Sequence, residues 1–480
     1  MFVVPSIVLM AAATQQPNHV TVDQPFAASP SATQNVTTLT PAQDWHTTLR
    51  GVDTAIFHNF ALDTETSVIL DLKRRDIVDA NATLRLNEDG SFDRPDVVML
   101  GGHVAGDHDS LAYIAFSDSM TLGYIRTGGE QYIISSGPAG QDLDTVIYNP
   151  AELPDGAINF MDLVCNAIDV PGREVNNTAS RGVSFLGDPP CRVADVAIET
   201  DTQFRTDLFG GNATQASDYA TMLVGAISEV YERDLNVILN ITFLRIWTSS
   251  DPWNQNGTAD QLYQFQDYWN DNMTSEQRNG VHFLSGRSLG GGVAYVGTIC
   301  YEDYDYALSA NLNGFFPYPL QDQSNQNWDF MVTAHEWGHN FGAPHTHQQW
   351  PLSNIDNCGN GDCSQLPGTI MSYCHQCGNG TGDVNLNFHP QNINSWMLAY
   401  LDGTGLYSGQ GADCDLTGNP LCNEPGCLAD ANGDGILSPA DFSAWVAAFN
   451  ASAPECDQNS DGSCTPADFS AWVANYNAGC

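Results

Sequence analysis

Short apolar runs, rich in β-branched and aromatic side chains, recur between turn residues from about position 45 to 190. Ser67-Val68-Ile69-Leu70-Asp71-Leu72, Asp96-Val97-Val98-Met99-Leu100, Leu111-Ala112-Tyr113-Ile114-Ala115-Phe116 and Tyr132-Ile133-Ile134 carry the pattern, with Gly128-Gly129 and Gly137-Pro138 as punctuation. Runs of this length between turn signals predict strands, so residues 45–190 read as a β-rich N-terminal region. The stretch before it, residues 14–44, is rich in Thr, Gln, Ser and Pro and reads as a polar linker. From about 191 to 402 strand and helix patterns alternate. Val193–Ile198, Val237–Trp247 and Val281–Leu284 read as strands. Tyr219, Met222, Leu223, Ala226, Ile227, Val230 and Tyr231 repeat at helical spacing behind Ser217-Asp218, a predicted helix cap, and Asp260–Trp269 reads as a second helix. Sheet plus backing helices predicts a mixed α/β domain. Residues 403–429, rich in Gly, Asn, Asp and Cys, read as a linker tied by disulfides. Beyond it the segment Asp430–Val446 returns as Asp457–Val473, so residues 430–480 form a duplicated unit.

Charge narrows the partners. Against 57 Asp and Glu stand 15 Lys and Arg, with Lys73 the one lysine, and the net charge of −42 repels nucleic acid and anionic membranes while favouring cations. At 480 residues the chain is too long for one ordinary core, and a multidomain protein is expected. Residues 1–13 form an apolar run ending in Ala11-Ala12-Ala13, which reads as a signal peptide without its usual basic start. No later stretch is apolar for long enough to span a bilayer. Thirteen cysteines behind such a start suggest disulfides in an oxidising compartment, hence a secreted or extracellular protein, free or associated with a cell surface. They fall into a middle set of six and a tail set of six that could each close on itself, leaving Cys165 over.

The chemistry concentrates in His335-Glu336-Trp337-Gly338-His339-Asn340-Phe341-Gly342-Ala343-Pro344-His345. Residues four apart share a helix face, so His335 and His339 would present two imidazoles to one ion with Glu336 beside them. Gly342 permits the positive φ that ends the helix, Pro344 blocks its continuation, and His345 can turn back as a third ligand. Three ligands and one open position suit a single catalytic Zn²⁺ whose water gives its proton to Glu336 as general base. H-E-x-x-H arises by chance in such a chain on the order of once in a hundred; with the glycine and third histidine at fixed offsets the figure is about one in 10⁵.

These eleven residues resemble the metzincin metallopeptidases, and the form of the helix is most similar to the reprolysin (adamalysin) branch. The resemblance covers residues 191 to about 402 and implies a twisted mixed sheet with an active-site helix, peptide-bond hydrolysis, and a methionine in a tight turn below the metal. Met371, in Thr369-Ile370-Met371-Ser372-Tyr373, supplies that methionine. Gly292-Val293-Ala294 and the residues to Cys300 resemble the branch's edge strand, where a protein or peptide substrate adds as an antiparallel strand. The chain departs from reprolysins in having Thr346-His347 after the third histidine, where they usually carry Asp. Tyr373 is similarly placed to the tyrosine that ligates zinc or steadies the oxyanion in astacins and serralysins; a packing role in the turn is the alternative. His347 and His375 are read as surface or substrate-facing rather than as further ligands. Cys358, Cys363, Cys374 and Cys377 are expected to form disulfides around the methionine turn rather than a structural zinc site. The family also implies a pro-domain, the role for which residues 45–190 are placed and sized. Cys165 fits the inhibitory thiol that such pro-regions insert at zinc, though it lacks a recognisable switch motif.

In the tail, Asp430, Asn432, Asp434 and Asp441, then Asp457, Asn459, Asp461 and Asp468, place oxygen ligands at loop positions 1, 3, 5 and 12, with Ile436 and Ser463 offering backbone carbonyls. Hard oxygen donors at those offsets suit Ca²⁺, one ion per loop, two in all. With Asp at position 12, the duplicated unit resembles a type I dockerin, a small all-α pair of calcium loop-helix units. The resemblance implies a cohesin-type scaffold or cell-surface partner; a calcium-stabilised module with no such partner is the rival. For the whole chain, three readings follow: a secreted zinc endopeptidase, a catalytically silent peptidase-like binding protein of an extracellular assembly, and a zinc hydrolase of a non-peptide amide.

Overall fold

The computed structural model describes residues 18–107, 109–154, 157–158, 165–171, 173, 175, 189–319, 329–423, 429–431, 437, 439–451, 453, 456–459 and 463–478. Two sheets dominate it. Ten strands, His19–Asp23 (β1), Phe26–Pro30 (β2), Val36–Pro41 (β3), Thr54–Ala61 (β4), Ser67–Arg74 (β5), Val98–Val104 (β8), Leu111–Phe116 (β9), Thr121–Thr127 (β10), Glu130–Ser135 (β11) and Thr145–Tyr148 (β12), lie in the order β1-β4-β5-β8-β9-β10-β11-β12-β3-β2. Residues 19–41, read from sequence as a polar linker, therefore contribute strands. Their polar tally hides β-branched runs such as Val20-Thr21-Val22 and Val36-Thr37-Thr38, which fit a pleated, half-buried edge. One face of this sheet closes over Trp45, Leu49, Phe57 and Phe60, with Trp45 and Leu49 carried on a short helix, Trp45–Leu49 (α1).

The second sheet holds Val78–Leu86 (β6), Gly90–Ser91 (β7), Asn166–Ile168 (β13), Arg192–Thr200 (β14), Val237–Ile246 (β15), Gly280–Leu284 (β16), Gly292–Tyr295 (β17) and Tyr306–Ser309 (β18), in the order β13-β17-β18-β16-β14-β15-β6-β7. Strands β18, β16, β14, β15 and β6 run parallel, and β17 is antiparallel to β18. Residues 78–91, which the sequence places with the N-terminal strands, leave that sheet and extend this one: Thr83–Leu86 run beside Phe243–Ile246. Helices Ala213–Leu235 (α3), Thr258–Asn272 (α4) and Asp329–Asn340 (α5) pack on the sheet, and Thr202–Leu208 (α2) packs against α3. Helix α3 begins four residues before the predicted cap. Asn212 accepts from the Thr214 and Gln215 amides, while Ser217 donates back to the Thr214 carbonyl inside the first turn.

Helix α3 is buried nearly all round because it is covered on both sides. The eight-stranded sheet lies on one side, and Met99, Tyr113, Tyr124 and Tyr148 of the ten-stranded sheet share its cluster on the other. The Tyr113 and Tyr124 hydroxyls donate to the Met222 and Ala226 carbonyls of the helix at 2.9 and 2.8 Å. Between β14 and β15, the fully buried Glu199 pairs with Arg245 and accepts from the indole N–H groups of Trp247 and Trp269 at 2.9 and 3.1 Å.

The disulfides differ from two self-contained sets. Cys191 joins Cys422 and Cys300 joins Cys414, so middle and tail cysteines are cross-linked. The physical reason is that residues 398–416 return to the sheet: the Val193 amide donates to the Leu416 carbonyl at 2.9 Å, and Arg192 pairs with Asp402. Cys358–Cys374 and Cys363–Cys377 brace the methionine turn as expected, and Cys456–Cys464 lies in the tail. There, Pro439–Ala451 (α7) and Pro466–Ala478 (α8) pack Trp445 against Trp472. A short helix, Leu398–Leu401 (α6), follows the methionine turn. Among the described residues no helix is long and apolar enough to cross a membrane.

Candidate metal centre

Helix α5 is buried along its length and ends where Gly342 adopts φ +98°, as the turn requires. Its last carbonyls do not go unpaired. The amide of Gly297 donates to the His339 carbonyl, and those of Thr298 and Ile299 to the Asn340 carbonyl, at 2.8 to 3.0 Å. Those three amides follow β17 directly, so the end of the helix and the strand beside it are fixed to each other. The turn brings His345 back, and the ring centroids of His335, His339 and His345 lie 4.6 to 5.1 Å apart.

Each imidazole is oriented through Nδ1. His335 donates to the Ile370 carbonyl at 2.7 Å and His339 to the Ala343 carbonyl at 2.7 Å, while His345 faces Gln348 Oε1 at 2.9 Å. Carbonyl oxygens only accept, which places the proton on Nδ1 and leaves the Nε2 lone pairs pointing inward. His339 Nε2 and His345 Nε2 then face each other at 3.2 Å, and His335 Nε2 is buried with no hydrogen-bond partner. Three convergent neutral donors of this kind fit a bound cation, and Nδ1–H bonds to fixed acceptors are how metal-ligating histidines are held. Burial lowers the pKa values of His335 and His339 well below the ordinary range, and that of His345 to about 4, so all three are neutral at physiological pH.

Met371 is fully buried beneath α5, with its Sδ against the α-carbon of Gly338; any side chain at 338 would collide with it. Its carbonyl accepts from the Thr346 amide at 3.1 Å, which ties the methionine turn to the stretch just after His345. A family model described as metallo-peptidase family M12 (Reprolysin_5) matches residues 191–384, the segment that holds this helix, turn and edge strand. Residues 191–384 are thus similar to a reprolysin-type M12 metallopeptidase domain. Two relatives, the zinc metalloproteinase-disintegrin-like proteins brevilysin H2a and H2b of Gloydius brevicauda, are each 28% identical over 182 residues. The match takes in 37% of this chain and 39% of each relative's own length. Metalloproteinase-II from Bacteroides fragilis superposes with a TM-score of 0.37 at 12% identity, over 70% of this chain and 90% of that one.

Around the reprolysin-type centre the structure gathers further residues that the sequence had named separately. Cys165 lies 171 positions before Glu336, yet its Sγ–H donates to Glu336 Oε2 at 3.0 Å. Its sulfur belongs with the three histidine nitrogens to one group of ligand atoms within 4.8 Å of one another. Tyr373 grips the same residue, its hydroxyl donating to the Cys165 carbonyl at 2.6 Å and accepting from the Cys165 amide at 3.0 Å. Burial pushes up the pKa values of the Glu336 carboxyl and the Cys165 thiol, the latter also because the Glu336 charge is adjacent. Just past Cys165, β13 lies along β17 in parallel register, Asn166 to Val293, Ala167 to Ala294 and Ile168 to Tyr295. The predicted edge strand is thus covered by this chain's own N-terminal region.

His347 stacks on His345 with centroids 5.2 Å apart, and His375 lies beside Tyr373 at 5.8 Å. Neither belongs to the group of convergent ligand atoms. Gln348 and the carbonyls of Ile370 and Ala343, which orient the histidines, were not anticipated. A glutamine three residues after the third histidine is a faint local signal; a backbone carbonyl gives none. Of the tail's calcium residues, Asn432, Asp434, Ile436 and Asp461 lie outside the described residues. Asp430, Asp441, Asp457, Asn459, Ser463 and Asp468 lie within them. The Asp468 carboxylate accepts from the amides of Gln458, Asn459 and Thr465 at 2.7 to 3.2 Å, and so sits at the closure of the second loop.

Proposed function

We propose that this protein is a secreted zinc-dependent endopeptidase, held latent by the segment around Cys165. The observation that carries this reading is the convergence of three Nδ1-anchored histidines next to a buried Glu336, on the helix fixed to edge strand β17. His335, His339 and His345 would hold the metal, with the Cys165 sulfur as a fourth donor in the latent form. Zinc bound there supplies a Lewis acid that polarises the scissile carbonyl and acidifies water. Glu336 then takes the proton from the attacking water and delivers it to the leaving amine. Tyr373, once its hydroxyl is released from the Cys165 backbone, donates to the oxyanion. The relatives named zinc metalloproteinase support the choice of metal.

A substrate replaces β13 on β17 and adds antiparallel, gaining main-chain hydrogen bonds in place of those made by the N-terminal region. Because β13 runs parallel to β17, its peptide bonds pass the site in the reverse direction, which accounts for an inhibitory segment that lies in the cleft without being cut. Cys165 engages at once the two groups the reaction uses, Glu336 and Tyr373, so a single departure frees both. Five disulfides among the described residues accord with an oxidising compartment.

In the same reading the tail binds two Ca²⁺ through its repeated loops and docks the enzyme to a cohesin-type or cell-surface partner. Its support is the in-register duplication, Asp430–Val446 on Asp457–Val473, and the matching helices α7 and α8.

The test of the peptidase is cleavage of denatured protein by the zinc-loaded full chain after limited proteolysis of its N-terminal region. Cleavage abolished by a chelator, restored by zinc, and reduced about 10²- to 10⁴-fold in Glu336→Gln is expected. Metal retention without cleavage by the processed wild type sinks the endopeptidase reading and leaves the binding protein.

A further inference from the structure

Beyond β13 the N-terminal segment turns, with the Arg173 amide donating to the Val170 carbonyl at 3.1 Å, and delivers the Arg173 side chain into a cage. One guanidinium nitrogen donates to the Gly297 carbonyl at 2.8 Å. Another donates to the carbonyls of Gly411 and Gln410 at 2.9 and 3.1 Å. The guanidinium lies 4.6 Å from the ring centre of Tyr301 and 5.7 Å from that of Tyr400. We infer that this cage is a guanidinium-binding subsite of the substrate cleft, which the side chain of a substrate arginine enters once the segment carrying Arg173 has left. The inference rests on the peptidase reading above and names the substrate class for it.

Every group of the cage belongs to residues 297–301 and 400–411, none to the segment that carries Arg173, so the cage persists when that segment goes. Its two loops are joined by the Cys300–Cys414 disulfide. The Tyr400 hydroxyl donates to the Ile299 carbonyl at 2.7 Å, and the Tyr407 hydroxyl to the Gly342 carbonyl at 2.8 Å. Fixed carbonyls on both sides of a planar group and an aromatic face along it match the fork of an arginine better than the point charge of a lysine. The chain's net charge of −42 adds a general attraction for cationic peptides.

Position ties the cage to the cleft. A cavity of about 640 Å³ runs from the metal-ligating His345 past Gly297 to Gln410. Glu336 Oε1 lies against the α-carbon of Gly292 at the start of β17, and Gly297 follows five residues later along the same direction. An antiparallel substrate points its amino-terminal side toward Gly297. At a strand rise of about 3.4 Å per residue, the cage then receives an arginine about three to five residues before the scissile bond.

The test uses the zinc-loaded chain with Cys165→Ala and Arg173→Ala, cut between Cys165 and Cys191 by limited proteolysis to release the segment from the cleft; Arg173→Ala empties the cage, and Arg173→Gln serves if the alanine variant is insoluble. Quenched peptides of one sequence carry arginine, lysine or the neutral isostere citrulline at each of the five positions before the cleaved bond. At one of them arginine is expected to exceed citrulline by tenfold or more in kcat/KM, mainly through KM, with lysine between. Adding Tyr301→Leu is expected to cut that ratio to under threefold. Separately, agmatine is titrated by calorimetry into the metal-free Arg173→Ala chain, where saturable binding is expected, and into the metal-free wild type, where it is not. Peptides cleaved with arginine and citrulline within twofold at every position overturn the subsite. Failure to cleave any peptide overturns the peptidase reading instead, and the agmatine titration then decides the cage alone.

Discussion

Replacing Cys165 by alanine isolates the contact on which latency is proposed to turn. The substitution removes the thiol that donates to Glu336 at 3.0 Å and leaves the backbone bonds to Tyr373, the β13 pairing and the Arg173 cage in place. A hydrogen bond to a charged partner contributes about 1.5–3 kcal/mol, so the balance between closed and open segment shifts toward open by roughly 10- to 150-fold. That range counts the chain's own atoms and is therefore a lower bound if the sulfur also holds the metal. Activity of the intact Cys165→Ala chain is accordingly expected to rise at least tenfold over the intact wild type. It stays below that of chain cleaved between Cys165 and Cys191, because the remaining contacts still hold the segment down. The assay is hydrolysis of a quenched fluorescent protein by zinc-loaded full-length chain, with electrophoresis showing that the chain stays uncut. Equal activity of intact wild type and intact Cys165→Ala, with cleaved wild type far more active than both, would refute the role given to the thiol.

Three further outcomes are expected. Glu199→Gln leaves Arg245 buried without its counter-charge, which costs about 3–5 kcal/mol, read as a lower midpoint in chemical denaturation at unchanged slope. Tyr113→Phe and Tyr124→Phe each remove a hydroxyl donated to α3 and cost about 0.5–1.5 kcal/mol. Because the two sheets share the cluster around α3, the metallopeptidase domain is expected to melt earlier with the N-terminal sheet in one calorimetric transition; an unshifted separate transition would contradict the shared core. Calcium added to chelator-treated protein is expected to change tryptophan fluorescence through Trp445 and Trp472, and Asp430→Ala with Asp457→Ala to abolish the change; a response retained in that double variant rejects the loop assignment.

The three histidines proposed to hold the metal were legible along the chain, because their geometry is local. Spacing of four on one helix, a glycine and a proline to end it, and a histidine ten residues after the first leave the backbone little choice. Met371, and the expectation that Cys358, Cys363, Cys374 and Cys377 form disulfides around its turn, rested on residues near along the chain, while the pairing of Cys358 with Cys374 and Cys363 with Cys377 came from the fold. Helix and strand identity in residues 191–402 followed from periodicity, which the burial pattern of a sheet with helices on it imposes. Contacts between residues far apart along the chain left no such trace. Residues 78–86 carry no local mark of which sheet they join, and they run beside β15 in the second. Cys191 reaches Cys422 across 231 positions because the end of the domain folds back on its first strand. Cys165 could be marked as odd from counting, but its approach to Glu336, and the cage of backbone carbonyls that takes Arg173, depend on where distant loops come to rest. Side-chain spacing records only neighbours in a helix or strand, and carbonyl groups, which every residue carries, leave no mark in a sequence at all.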